Sequence, residues 1–357
     1  MDKRKSLVGI GLILALMAFT GYMLLRDMSF SRLTDTLRQL NPLWLLVGLA
    51  MMFVFVGSEA LCSRIVLGRL GHKVRYRRCL GYSFVGFYVS SITPSSTGGQ
   101  PAQVYYMSKD GIPAAHGALN MMLIAACYQA VVIAYALTAA LTHFDLVQNL
   151  GGGLGLLLLY GVVVNGSLTA GMLSLMFLPN AARKLTGGVL KLLVKVHIIR
   201  HVDKARQRLE KQMEEYHKGA QCVKQNPGMM VGLVLITIIQ LTALFSIPVA
   251  VYYAFGLSGA SPMEIIATQA LVTLAVANLP LPGAVGASEG GFVTAMALFF
   301  GSSLVTPAVL VSRGISFYSF LVISAIVALA VHLRTRRQRR MEDSTAYPKR
   351  ARGPIVT

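Results

Sequence analysis

The chain has 357 residues, of which 55% are hydrophobic and only 13% charged, and its mean hydropathy is +0.61. A soluble domain of this composition would need its apolar residues dispersed into periodic faces, whereas here they gather in nearly uncharged runs of about 20 residues, the length a helix needs to cross a hydrocarbon core. The formal net charge of +19 excludes little by itself, but the Lys and Arg stand in loops beside apolar runs, and no aromatic-interleaved basic surface or nucleic-acid module accompanies them.

Backbone groups in lipid must be satisfied within their own segment, so the apolar runs are helices. Full spans are expected at residues 7–25, 42–62, 114–141, 152–178, 229–255 and 315–333. The first follows Asp2-Lys3-Arg4-Lys5, and no small-x-small cleavage site comes after it, so it is expected to be retained. Two further apolar stretches are interrupted. The first, 80–92, is too short to cross and ends in Thr93-Pro94-Ser95-Ser96-Thr97-Gly98-Gly99-Gln100-Pro101. The second, 265–279, runs into Pro280-Leu281-Pro282-Gly283-Ala284-Val285-Gly286-Ala287-Ser288-Glu289-Gly290-Gly291.

Lys and Arg in short loops remain cytoplasmic. Arg64, Arg69, Lys73, Arg75, Arg77 and Arg78 therefore place one loop inside, as do the basic residues of 183–224 and Arg334-Thr335-Arg336-Arg337-Gln338-Arg339-Arg340. The loops 143–150 and 256–262 carry almost no positive charge and are expected outside. These placements agree only if each interrupted stretch enters and leaves on one side. The predicted fold is thus an all-α polytopic membrane protein with about six full spans and two re-entrant broken helical hairpins in inverted-topology repeats. The membrane domain covers 1–333, with a first repeat at 42–141, a basic cytoplasmic segment at 180–226 and a second repeat at 229–333; a basic cytoplasmic tail occupies 334–357.

Paired Gly/Pro-interrupted segments in two inverted halves point to a transporter with its substrate site near the midplane. Gln129 follows Gln100 at the interval at which Tyr318 follows Glu289. The alternative is a pair of Pro/Gly kinks in ordinary spans. The segment 180–226 carries Leu185, Val189, Leu192, Leu193, Val196 and Ile199 at helical spacing, and reads either as a surface helix attracted to anionic headgroups or as a solvated connector.

Few ionisable residues fall inside the apolar segments, and such residues face a partner or a water-filled cavity. Glu289 and Arg313 have the signs to pair, either as a structural ion pair or as gating or headgroup contacts. Glu59 is expected within reach of Arg64; Glu59 and Glu289 are the candidates for ion coupling. The loop of Thr93, Pro94, Ser95, Gly98, Gly99 and Gln100 can turn backbone N–H groups toward an anion, with Gln100 and Gln103 as neutral donors and Tyr105, Tyr106 and Tyr128 as amphipathic contacts. Its glycines equally allow close helix packing. Pro282, Gly283, Gly286, Glu289 and Arg313 form the matching set in the second half.

No nucleophile with its base, metal-ligand cluster or nucleotide loop can be assembled from the sequence. Cys62, Cys79, Cys127 and Cys222 are scattered without CxxC spacing and read as inert thiols. No cofactor and no metal are expected, and the sequence does not set an oligomeric state.

At Thr93–Met107, at Asp110-Gly111-Ile112-Pro113, and at Leu281–Gly290 with Arg313 and Tyr318, the chain resembles the lysylphosphatidylglycerol synthase transmembrane-region family, also called flippase-like domain proteins. The resemblance implies flipping of phosphatidylglycerol-type or aminoacylated lipids, as in the multipeptide resistance factor, and links to cationic-peptide resistance and to lipid or polyprenyl-linked sugar handling. It implies anionic phospholipids as partners and a bacterial-type cytoplasmic membrane, and the placement of Lys and Arg goes with cytoplasmic termini. Many members carry Gly-Gly-Glu-Pro and a following Arg where this chain has Gly98-Gly99-Gln100-Pro101 and Gln103, so two amides replace a possible ion pair. The full synthase has a soluble transferase domain after its membrane part, whereas the stretch after Leu333 is shorter than the about 50 residues of a small domain. No aminoacyl transfer is therefore expected of this chain. Other readings are a membrane component acting with a separate lipid-modifying enzyme and an ion-coupled small-solute transporter.

Overall fold

Asn41 opens the first described helix by accepting a hydrogen bond from the Leu43 N–H at 3.0 Å, with Pro42 at the position where a missing N–H costs nothing. The structure, a computed structural model, describes residues 38–93, 96–142, 151–178, 202–276, 279 and 285–346. All its elements are helical: α1 (Pro42–Arg69), α2 (Tyr76–Ser91), α3 (Gly99–Lys109), α4 (Ala114–Thr142), α5 (Gly151–Phe177), α6 (Val202–Lys224), α7 (Pro227–Phe245), α8 (Ile247–Ala254), α9 (Pro262–Val276), α10 (Ala287–Arg313), a π-helical turn (Gly314–Tyr318) and α11 (Ser319–Ala346).

Five described segments are long and apolar enough to cross a membrane: Pro42–Arg69, Ala114–Thr142, Gly155–Met176, Pro227–Ala254 and Ala287–Arg337. With Leu43, Leu46, Leu156, Leu159, Ile239 and Ile326 exposed on them, these faces suit hydrocarbon and not water. The chain is a multi-pass membrane protein. The expected span at 7–25 and the apolar periodicity at 185–199 lie outside the described residues, as do Pro94, Ser95, Pro282 and Gly283.

The interrupted stretches are broken helices. At 1.5 Å per residue, α2, with 16 residues, rises about 24 Å, and α3 is shorter still; neither covers a core of about 30 Å. The same order recurs downstream, where α9 has 15 residues and the helix entering α10 runs only to Gly301. There φ is 69° and ψ 166°, which ends that helix and starts the next. Only glycine adopts this backbone readily. The final expected span, 315–333, therefore begins earlier, just after Gly301, and extends as helix to Ala346, into what the sequence reading treats as a tail. Helical registry persists there because Arg334, Arg336 and Arg337 are good helix formers.

The two runs interlock. Phe320 of α11 is fully buried against Phe53 and Phe84, with ring centroids at 4.9 and 6.3 Å. Since lipid tails are as apolar as these rings, dispersion and shape hold the contact, not removal from water. A polar clasp reinforces it. Asp110, between α3 and α4, accepts from the Tyr82 hydroxyl at 2.5 Å and pairs with Arg334 at 3.3 Å and Arg78 at 3.7 Å. The Tyr106 hydroxyl and His332 Nδ1 lie 3.0 Å apart. Asp110→Ala is expected to lower stability by about 1–3 kcal/mol and to speed tryptic cleavage at Arg334–Arg337; unchanged cleavage would show that the clasp does not hold α11.

α6 docks on the start of α4. Gln212 Oε1 accepts from the Ala115 N–H at 3.0 Å, and His116 pairs with Glu215 at 3.7 Å while bonding His72 at 2.8 Å. Burial, then the neighbouring His116, hold the His72 imidazole below its usual range. In the unfolded chain it titrates near about pH 6.5, so its contribution to stability is present above that pH and is lost as the pH falls below it. Thermal unfolding is expected to come earlier in mildly acidic buffer, and His72→Asn to flatten that dependence. A pH profile unaltered by the substitution would dissociate it from His72.

Candidate functional site

An amide inside an apolar span is costly unless something satisfies it, and several such amides converge. Gln100 and Gln103 of α3, Gln129 of α4, Asn165 of α5, Gln240 of α7 and Gln269 of α9 all line one cavity of about 470 Å³. Glu59 of α1, Ser83 of α2, Tyr128 of α4 and Arg313 at the end of α10 also face it, with Ser316 and Phe317 of the π-helical turn. Helices α2, α3, α9 and α10 and the helices flanking them contribute to its wall.

On one side, Gln103 Nε2 donates to Glu59 Oε1 at 2.9 Å. Glu59, expected near Arg64, has this amide as its hydrogen-bond partner instead, since its helix face turns inward to the cavity. Gln103 reaches it because residue 86 is glycine: a Cβ there would overlap the Gln103 amide. The Gln103 and Gln240 carbonyl oxygens are buried without a hydrogen-bond donor, as is that of Gln269.

On the other side, Glu289 is 1% exposed and does not itself line the cavity. Its carboxylate accepts from Arg313 Nε at 2.8 Å, from the Gly286 N–H at 2.7 Å and from the Tyr318 hydroxyl at 3.4 Å. Gly286, at φ 89°, turns the chain into α10, and Glu289 reaches back to its N–H as the third residue of a capping box does. The expected Glu289–Arg313 pair thus exists, and it fastens the start of α10 to its far end. The Arg313 guanidinium also stacks over Phe317, 4.4 Å from the ring centroid, and the adjoining π turn is a feature that often marks function.

The predicted anion-binding loop is built differently. The Gly98 N–H donates to Thr93 Oγ1 at 3.0 Å, and the Ser96 N–H to the Thr93 carbonyl at 3.2 Å, so these donors close the turn locally. Thr93 and Gly98 shape the loop, and Gly99 lets α3 sit against Ser90 and the Gly86 carbonyl. Tyr105 is half exposed, beneath Lys109, because its position on α3 faces away from Gln103. Of the residues expected at the site, Glu59, Gln100, Gln103, Tyr128 and Arg313 line the cavity; Gly286 and Glu289 stand behind it. Sequence reasoning passed over Gln240, Gln269 and Asn165, although each is a lone amide in an apolar run, a signal visible without coordinates.

Among the described residues no group of three or more His, Cys, Asp or Glu could hold a metal ion. Cys62, Cys79 and Cys127 are buried and unpaired with one another. The cavity is equipped to grip a polar ligand by charge and hydrogen bonds. No curated protein matches the chain. The model of the lysylphosphatidylglycerol synthase TM region matches residues 6–324, nearly the whole length, and the chain belongs to that family.

Proposed function

We propose that this protein carries the headgroup of a phosphatidylglycerol-type or aminoacylated lipid between the leaflets of the cytoplasmic membrane. In this reading α1–α4 and α7–α11 are inverted repeats, both termini are cytoplasmic, and each hairpin dips into the bilayer from its own side. One observation supports the reading: a cavity that carries Arg313, Glu59 and several amides among apolar side chains is lined from both interrupted segments, inside a bundle whose outer faces are apolar. A lipid can pass its headgroup through such a path while its acyl chains remain in the bilayer. Its volume, about 470 Å³, lies in the range of small-ligand sites, about 300–1,000 Å³.

The recognition chemistry follows from the lining. Arg313 offers guanidinium donors to a phosphate. The carboxylate of Glu59 and the glutamine carbonyls suit the hydroxyls of glycerol or the ammonium of an aminoacyl group. Gln103, a neutral amide, leaves the Glu59 carboxylate without an ion pair among the described residues. Bound ligand would replace the hydrogen bonds the wall otherwise lacks, which favours the loaded cavity.

The test is reconstitution in liposomes bearing labelled phosphatidylglycerol, its lysyl derivative or a neutral zwitterionic lipid, following loss of label from one leaflet. Faster movement of the first or second, but not the third, is expected, and Gln269→Leu is expected to slow it. No acceleration of any lipid would overturn the reading.

A further inference from the structure

The two carboxylates of the membrane core are not equivalent. Glu289 has an arginine, a backbone N–H and a tyrosine hydroxyl, whereas Glu59 has a neutral amide donor at 2.9 Å and forms no ion pair within the described residues. Around it stand both hydroxyl and carbonyl oxygens that are buried without a partner. The Ser83 hydroxyl adjoins the carboxylate and Tyr128 lies close by. The Gln103 carbonyl oxygen, on the amide bonded to Glu59, has no donor, and Gln103 is 5% exposed.

Gln240 belongs to the same cluster by helix register. α1 and α7–α8 run antiparallel: Trp44 packs on Tyr253 at 4.8 Å, Gly48 approaches Ala250, and Cys62 meets Thr237. As the first partner advances the second recedes, so Glu59, one turn before Cys62, stands opposite Gln240, one turn after Thr237. Gln240 is 2% exposed, and its carbonyl oxygen too has no donor. A carboxylate and two buried carbonyl oxygens without donors can all be served at once by a single cation. A proton on Glu59 would supply one O–H, enough for one carbonyl; an alkali-metal ion can be coordinated by all the oxygens together, as hard cations prefer.

We propose that Glu59, with the side-chain oxygens of Gln103 and Gln240 and the neighbouring Ser83 hydroxyl, forms a binding site for an alkali-metal cation in the wall of the cavity. The consequence for transport rests on the lipid reading above. With the site empty, Glu59 repels the phosphate that Arg313 attracts; with the site filled, the wall is neutral and the anionic headgroup enters. The cation thereby becomes a condition of lipid movement.

The experiment uses the full chain in nanodiscs of zwitterionic lipid, with binding of radioactive sodium and thermal unfolding measured against sodium, potassium or N-methylglucamine chloride at equal ionic strength. Saturable binding, with stabilisation by sodium or potassium relative to N-methylglucamine, is expected in the wild type and in Lys218→Ala, an exposed change on α6. Glu59→Gln and the volume-conserving Gln240→Leu are each expected to weaken binding about tenfold or more, a difference of 1.4 kcal/mol or above. The wild-type titration needs no variant, so a misfolded substitution leaves the proposal testable. Absence of cation binding in the wild type, or full retention in Glu59→Gln, overturns the site. Lipid movement that follows pH and ignores the alkali cation assigns the charge to a proton and overturns it too. If an amine-bearing lipid competes sodium away while amine-free phosphatidylglycerol does not, the cation site stands and also receives the headgroup ammonium. Cation-independent lipid movement without binding leaves the transport reading intact and removes the site; cation binding without movement of any lipid keeps the site and removes the transport reading.

Discussion

Arg313→Ala is expected to cost the folded protein about 3–5 kcal/mol, the range for removing one partner of a buried ion pair. Its carboxylate partner is 1% exposed, and the loss of Arg313 would strand that charge with only the Gly286 N–H and the more distant Tyr318 hydroxyl. Glu289→Gln should cost less, because an amide keeps an acceptor for Arg313 and remains close to Gly286, yet it removes the carboxylate charge from beside the guanidinium. The double substitution Arg313→Met with Glu289→Gln removes both charges and should be more stable than Arg313→Ala alone. Thermal unfolding in detergent separates these cases. Transport adds a second readout: since Arg313 also lines the cavity, the double variant is expected to recover abundance without lipid movement. Recovery of both would make Arg313 purely structural, and equal behaviour of Arg313→Ala and the exposed-helix change Lys218→Ala would remove it from fold and function alike.

Much of the architecture was legible because membrane helices obey few rules. Nearly uncharged length marked the spans at 42–62, which holds only Glu59, 114–141, 152–178 and 229–255, and the helices found there agree within a few residues except that α1 continues to Arg69. That extension buries Val66 and Leu67 but also carries Arg64 and Arg69, and the two charges end the apolar run before the helix ends. The break at Gly301, where the backbone takes a glycine conformation, came only with the structure. The π-helical turn was not readable. It follows from three-dimensional fit around Arg313 and Phe317, with the Ser319 hydroxyl donating to the Gly314 carbonyl at 2.5 Å.

The site divided along the same line. The Glu289–Arg313 pair followed from opposite charges in an apolar setting, a strong constraint. Glu59 was assigned to Arg64 by proximity in sequence, but helix phase decides between neighbours, and it directs Glu59 toward Gln103, 44 positions away. The hydroxyl-rich loop was expected to leave its N–H groups open; Thr93, able both to accept from Gly98 and to donate to the Val89 carbonyl at 2.8 Å, closes it from within. Short polar side chains compete for nearby backbone, a tendency composition alone does not resolve into partners.

Gly86→Ala is expected to have an effect out of proportion to one methyl group. The added Cβ would fall on the Gln103 amide, and that amide is buried and held by Glu59. Overpacking of this kind costs about 1–3 kcal/mol. Relief by swinging Gln103 aside would break its bond to Glu59 and leave that carboxylate without its amide donor, so lipid movement should fall even in whatever protein folds. Gln103→Ala alone vacates the space and also loses the bond. The pair therefore provides a cycle: Gly86→Ala should destabilise the wild type strongly and the Gln103→Ala background little, giving a coupling of about 0.5–3 kcal/mol, as for residues in contact. Additive effects would mean that α2 and α3 separate to accommodate the methyl, and that the hairpin is not clamped on Gln103. A measured coupling, with lipid movement low in all three variants, would locate the function in the Glu59–Gln103 bond and not in the packing of the hairpin alone.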